Sequence, residues 1–230
     1  MSIFEAAIGW VAPPQCISCG VEGSTLCLAC STSEIIAFGQ HCWLCNAASP
    51  LSRTCVSCRL NSPRHVWIST NYSGAASQLI KAYKFGHLRV ASDDLSKFMV
   101  DTLLDFIGSD ELKRLNYLVV PIPTATSRLR HRGFGHSELL ADKIAKRIAL
   151  KASNCLGRLG QSRQLGSKRA DRLKLPEDKY FVRRPDVAFG RNILLIDDVV
   201  TTGATVKEAT KWLRPAGARR IDSLIFAKKL

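Results

Sequence analysis

Residues 193–205 read Ile-Leu-Leu-Ile-Asp-Asp-Val-Val-Thr-Thr-Gly-Ala-Thr. Ile193 to Ile196 is a short, wholly apolar run, the pattern of a parallel strand covered on both faces. From Val206 to Leu213 the apolar residues return at helical spacing, and Pro215 and Gly217 close that helix. Ile221 to Ala227 then forms a second apolar run. A strand, a loop, a helix and a strand within one short unit is the repeating theme of a doubly wound α/β fold. The fold class expected is therefore α/β with a mostly parallel, Rossmann-like sheet.

The loop carries chemistry of its own. Gly203 lets the backbone approach a ligand closely, and successive N–H groups at a helix start attract a phosphate. Thr201, Thr202 and Thr205 add hydroxyl donors. Asp197 and Asp198 stand just before this cradle, where two carboxylates would repel a second phosphate. They suit hydroxyl groups about one sugar away, or a hydrated metal ion. An ordinary βα turn with a capping threonine explains Gly and Thr but leaves the Asp-Asp pair unexplained. The residues together describe a holder for a ribose 5-phosphate.

A second βα turn lies upstream. Tyr117 to Ile122 reads as an apolar strand, followed by Pro123-Thr-Ala-Thr-Ser-Arg128-Leu-Arg130-His-Arg132-Gly133-Phe134 and a helix from about Ser137. With this turn in place, Ile193 to Thr205 closely resembles the phosphoribosyl pyrophosphate (PRPP) motif of type I phosphoribosyltransferases. The resemblance implies that Asp197 and Asp198 contact the ribose hydroxyls and that Thr201, Thr202, Gly203, Ala204 and Thr205 hold the 5-phosphate. A departing pyrophosphate carries several negative charges, normally offset by Mg²⁺ and basic side chains. Lys84, Arg128, Arg130 and Arg132 are the candidates, each also explicable as a solvent-facing charge. Arg163 and Arg172 lie in or beside the Gly/Ser-rich stretch 157–167, which has the composition of a mobile lid.

The chain has 230 residues, 46% hydrophobic and 23% charged, with a net charge of +14. That is enough chain for a real core and argues against disorder. No apolar run reaches the roughly 18 residues of a membrane span. Met1 to Val11 contains Glu5 and lacks a basic start, so no signal peptide is expected and the expected location is the cytoplasm. Residues 1–60 carry a net −1 and residues 61–230 a net +15, of which 124–191 alone holds +11. Such a run is either a solvated face or a surface for phosphates, a nucleotide or a nucleic-acid backbone. The texture changes after Cys58, so the expected division is a cysteine-rich module over 1–62 and an α/β domain over 63–230, with Arg59 to Arg64 as linker.

Eight of the nine cysteines form four Cys-x-x-Cys pairs: Cys16/Cys19, Cys27/Cys30, Cys42/Cys45 and Cys55/Cys58. Each pair is half of a tetrahedral Zn²⁺ site, so four pairs make two structural Cys₄ sites. A disulfide framework suits a secreted chain better, and one isolated pair would suggest a redox motif. About 60 residues with so few large apolar side chains need such staples to hold a shape. Sequential pairing, first with second and third with fourth, keeps the loops short; an interleaved cross-brace is the alternative. Gly20, Gly23, Asn46 and Pro50 suit the knuckle turns, and His41 is a possible substitute ligand. Cys155 reads as a small buried hydrophobe.

Pro121-Ile-Pro123, then Arg128-Leu-Arg130-His-Arg132-Gly-Phe134, then Glu138-Leu-Leu-Ala141, resembles the ComF (competence protein F) family. Lys84-Phe-Gly86, Gln164 and Arg172 add to the likeness, which runs from Cys16 to Lys228. Gly135-His136 stands where Asn-Gln is usual, and Leu175 near a usual Asn. The resemblance implies a zinc ribbon joined to a phosphoribosyltransferase domain and a part in natural transformation, the import of single-stranded DNA across the inner membrane. It implies PRPP, Mg²⁺, single-stranded DNA and the DNA-uptake machinery as partners, with a peripheral place at that membrane. Three functional readings follow. One is a DNA-binding protein in which a basic surface tracks the strand, aromatic residues such as Phe134, Tyr180 and Phe181 stack on bases, and PRPP gates. Another is an active phosphoribosyltransferase on a nucleobase or nucleotide. The third is a zinc-ribbon adaptor with a degenerate enzyme domain, against which the intact loop weighs.

Overall fold

Strands built around apolar runs with both faces buried must be covered from both sides, and the architecture follows from that requirement. The computed structural model describes residues 14–85, 90–123, 135–158 and 180–229. Its elements run α1 (Leu28–Glu34), β1 (Val66–Asn71), α2 (Gly74–Phe85), α3 (Ala91–Leu115, broken at Gly108) and β2 (Leu118–Pro121). There follow α4 (His136–Arg147), β3 (Lys151–Ala152), β4 (Leu156–Arg158), β5 (Tyr180–Val182), α5 (Pro185–Ala188), β6 (Asn192–Val200), α6 (Ala204–Leu213) and β7 (Arg220–Lys228).

Five strands form one sheet in the order β1-β7-β6-β2-β3, and every pairing in it is parallel. The antiparallel pair β4–β5 stands apart. Side chains alternate between two apolar clusters, as the period of a strand requires. Trp67, Val119, Leu194, Ile196, Leu224 and Phe226 face one; Ile68, Val120, Ile193, Leu195 and Ile225 face the other. Residues of α2, α3 and α4 cover the first face; residues of α6 and Ala188 of α5 lie on the second.

The cysteine-rich module does not hang from the end of this sheet. It wraps the outer edge at β1. Ala37 bridges Thr70, the Phe38 N–H donates to the Ser69 carbonyl, and the Thr70 hydroxyl donates to the Ile36 carbonyl. An exposed edge strand invites foreign pairing, and this contact blocks it. Cys16 and Leu26 join the first apolar cluster, whereas Phe38, Cys42 and Trp43 join the second. Each face of the sheet thus receives one half of the module. The segment 59–64 is not a free linker either. The Ser62 hydroxyl donates to the Cys58 carbonyl, and the Arg64 N–H donates to the Ile221 carbonyl of β7.

Under this junction sits a buried carboxylate. Asp222 is fully buried and accepts from the backbone and the ring of His65 (2.9 and 3.1 Å), from the Tyr117 hydroxyl, and from Arg220 Nε (2.5 Å). Burial raises its pKa, but the hydrogen bonds from His65 and Tyr117 and the Arg220 charge outweigh burial and hold it below the ordinary 3.8. Its stabilising contribution is therefore present above that value and lost as the pH falls through the lower folded-state value. We predict that Asp222→Ala lowers stability at neutral pH by about 3 kcal/mol, because it strands the largely buried Arg220 charge. Urea unfolding midpoints check this, and the deficit should narrow below pH 3.8.

Candidate functional site

Asp197 and Asp198 lie within β6 and not in the loop after it. The ladder continues past them, with Val199 and Val200 paired to Ala227 and Lys228 of β7. The carboxylates are consequently held by a sheet, and their placement is rigid. Asp198 is buried and paired with Lys84 Nζ at 2.7 Å, so the structure brings two of the expected site residues together. Asp197 Oδ1 accepts from the Asp198 N–H at 2.9 Å and from the Ser137 hydroxyl at 3.3 Å. Burial first, and the neighbouring Asp198 charge second, push the Asp197 carboxyl up to about 7, with Lys84 pulling the other way. The pair holds more negative charge than the site can comfortably bear, which is what a cation or a set of hydroxyl donors would relieve.

Ser137 was not singled out by its sequence context. Its position depends on a reciprocal clamp between α2 and α4. The Tyr83 hydroxyl donates to the His136 carbonyl at 2.7 Å, and His136 Nε2 lies 3.2 Å from the Tyr83 carbonyl, with the rings edge to face. Lys84 and Ser137 are the next residues along each helix. The unusual histidine at 136 therefore fastens together the two side chains that reach Asp198 and Asp197.

The loop follows at the end of β6. Thr201, Thr202, Ala204 and Thr205 are exposed, while Gly203 is buried with φ +77° as the residue capping the start of α6. That conformation favours glycine, and a second constraint reinforces it. A Cβ at Gly203 would come 2.3 Å from the Trp43 ring and 3.1 Å from Leu44. Trp43 is buried and its Nε1–H donates to the Thr54 hydroxyl at 3.1 Å. The cysteine-rich module thus forms the floor of the loop.

Trp43 and Leu44 lie between Cys42 and Cys45. The sulfurs of Cys16, Cys19, Cys27 and Cys30 lie within 4.8 Å of one another, as do those of Cys42, Cys45, Cys55 and Cys58. This is the sequential pairing. The Cys19–Cys27 and Cys45–Cys55 sulfurs are both 3.6 Å apart, and all nine cysteines are free thiols. Four sulfurs about 2.3 Å from a tetrahedral Zn²⁺ are spaced about 3.8 Å apart, so both clusters could hold zinc. The thiols of each cluster also divide in charge. Cys16 is brought down to about 6 because backbone amides outweigh its burial, while Cys27 and Cys19 push Cys30 up to about 12. Bonds from Ser57 and Cys58 bring Cys55 to about 6, and burial with Cys55 pushes Cys58 to about 12. Four thiolates cannot coexist without a cation.

The two clusters share one design. Gln15 bridges Glu22 and His41 bridges Ala48, and the N–H groups of Gly20 and Asn46 return to the Cys16 and Cys42 carbonyls. His41 belongs to neither cluster. Beside the second cluster, Lys228 is buried, 3.5 Å from Asn46 Oδ1 and 5.2 Å from the Phe38 ring. Burial lowers its pKa while Cys42 and Cys45 raise it.

Other expected residues fare differently. Tyr180 is buried under α6 contacts, with Arg158 5.4 Å from its ring, and is core; it offers no free face to a base. Phe181 is half-buried with Arg183 beside its ring. Cys155 is buried, as a small hydrophobe should be. Gly86, Arg128, Arg130, Arg132, Phe134, Arg163, Gln164, Arg172 and Leu175 lie outside the described residues. A cavity of about 480 Å³ lies in the seam between the second cluster and α6, away from Asp197 and Asp198. No helix among the described residues is long and apolar enough to cross a membrane.

A phosphoribosyl transferase domain model matches residues 139–230. Competence protein ComFC of Streptococcus pneumoniae is 29% identical over 215 residues, spanning 90% of this chain and 89% of its own length. The chain is similar to proteins of the ComF family along most of its length. Competence protein ComFC of Bacillus subtilis is 27% identical over 84% of this chain and 79% of its own. DNA utilization protein YhgH of Escherichia coli is 25% identical over 89% and 97%. As in the ComF pattern read from the sequence, a phosphoribosyltransferase domain with a parallel sheet follows two Cys₄ clusters consistent with zinc ribbons.

Two predictions follow from the charges at this site. Asp197 is raised, so its burden on the folded state grows between pH 3.8 and about 7 and is complete above that. Asp197→Asn should therefore stabilise the protein at pH 8, on the order of 1–2 kcal/mol, and leave it unchanged near pH 4 in urea titrations. Elemental analysis should find two zinc ions per chain, in keeping with the two clusters. Cys42→Ser should retain only the first and melt at a clearly lower temperature, since the floor under Gly203 goes with it.

Proposed function

We propose that this chain is a DNA-uptake protein whose domain binds PRPP at the end of β6 and which contacts the imported single strand. The observation that carries the PRPP half is the union of two features. Paired carboxylates are fixed on a strand, and an exposed, hydroxyl-lined loop at the start of a ten-residue helix lies immediately beyond them. In this reading Asp197 and Asp198 accept hydrogen bonds from the ribose hydroxyls. The N–H groups of residues 203–205, with the hydroxyls of Thr201, Thr202 and Thr205, receive the 5-phosphate. Lys84 exchanges its bond with Asp198 for one with the pyrophosphate, and Arg128, Arg130 and Arg132 add positive charge there.

The excess negative charge at Asp197 and Asp198 fits Mg²⁺ arriving with PRPP. When bound, the ion would neutralise pyrophosphate oxygens. The DNA half draws on relatives named for competence and DNA utilization, similar along most of their length, and on the net charge of +14. Work beside the uptake machinery, from the cytoplasm and peripherally at the inner membrane, completes the proposal.

The intact Lys84–Asp198 pair favours a second reading, an active phosphoribosyltransferase on a nucleobase or nucleotide acceptor. Fluorescence titration with PRPP and Mg²⁺ tests the first reading. Asp198→Asn should weaken PRPP binding at least tenfold, and equal affinity in the two proteins would remove the site from these residues. Pyrophosphate release across a panel of bases and nucleotides tests the second, which fails if none supports turnover.

A further inference from the structure

The opposite end of the strands carries a cluster that the PRPP reading does not use. Arg64, Arg214, Arg219 and Arg220 line a cleft of about 190 Å³ with Ala218 and Ile221. They come from three places in the chain: the segment before β1, the end of α6, and the entry to β7. Backbone bonds bring them together, from the Arg64 N–H to the Ile221 carbonyl (2.8 Å) and from the Arg219 N–H to the Arg191 carbonyl (2.9 Å). Arg214 donates to the Ser62 carbonyl at 2.7 Å.

The local balance of charge is one-sided. Arg220 is spent on Asp222, which is also held by His65 and Tyr117. Glu111, which faces Arg220, is engaged by Arg114 at 2.6 and 2.8 Å. Among the described residues no carboxylate pairs with Arg64, Arg214 or Arg219. Like charges gathered without an acid repel, and a bound polyanion is what relieves them.

Beside the cleft stands Phe189, 73% exposed, its ring packed so closely on Gly217 that a Cβ there would approach to 2.4 Å. The Gly190 N–H donates to the Gly217 carbonyl at 2.9 Å and ties this turn to the cleft. Guanidinium groups beside a free aromatic face are the two halves of single-strand recognition: phosphates take the first, and an unstacked base takes the second. A duplex keeps its bases stacked and has no use for the ring.

We infer that this arginine cleft, with Phe189 beside it, binds single-stranded nucleic acid at the end of the sheet opposite the PRPP loop. The inference rests on the single-strand contact proposed above but assigns it to a place other than the basic stretch 124–191. Asn192 and Asp197 on β6 are separated by about 16 Å at the usual strand rise. The two ligands therefore bind together and do not compete.

Fluorescence anisotropy of labelled oligothymidylate on the full chain tests this. Arg64→Ala/Arg219→Ala should bind at least tenfold more weakly, and the slope of log affinity against log salt should shrink by about 1.4. Phe189→Ala should bind about fivefold more weakly or worse with the slope unchanged. All these variants should keep wild-type PRPP affinity, which also reports their folding, and Asp198→Asn should keep wild-type oligothymidylate affinity. Wild-type binding that survives the cleft variants but falls in Arg163→Ala/Arg172→Ala overturns the cleft and keeps the single-strand reading. No binding by wild type overturns that reading itself. Equal affinity for a duplex or for polyglutamate, with Phe189→Ala silent, overturns the assignment to a single strand.

Discussion

A parallel sheet has to be covered on both faces and closed at its edges, and nearly everything else in this chain answers to that requirement. Helices α2, α3 and α4 satisfy it on one face. On the other, α6 and the short α5 leave room beside β1 and β7, and the edge at β1 has no neighbouring strand. Residues 14–62 fill those gaps. A segment so poor in large apolar side chains cannot make such a cover by hydrophobic burial alone. Two copies of one cysteine knuckle solve the problem by placing a rigid corner on each face, with the Ala37–Thr70 bridge between them.

The same cover explains how the loop beyond β6 is shaped. Its carboxylates belong to a hydrogen-bonded strand, its glycine rests on an indole, and Lys84 and Ser137 are steered by the Tyr83–His136 clamp. None of these contacts touches solvent to any great extent, so the site is prepared by packing. What stays exposed is the rim of threonines.

Much of this was legible in residue order. The run 193–205 announced a strand, a turn and a helix because those elements are local, and the spacing of the eight cysteines announced two four-cysteine clusters for the same reason. The strand was nonetheless longer than its apolar run, since β7 pairs with Val199 and Val200 beyond the two aspartates. The contacts that did not show in the sequence join distant residues. His65 and Asp222 are 157 positions apart, and Tyr83 and His136 are 53 apart. No periodicity links such pairs. Charge behaved likewise: a tally along the chain pointed to 124–191, whereas the arginine cleft gathers its members from residues 64, 214, 219 and 220.

The contact of Trp43 with Gly203 has a bearing on descent. A phosphoribosyltransferase domain taken from elsewhere would accept this N-terminal module only if its loop offered a bare backbone at the matching place, and the module would be accepted only if it presented a flat ring there. Recombination between the two halves would break a fit that neither half can restore alone. The ribbon and the loop beyond β6 are accordingly matched surfaces, and exchanging either half alone would leave a clash or a void at this one contact.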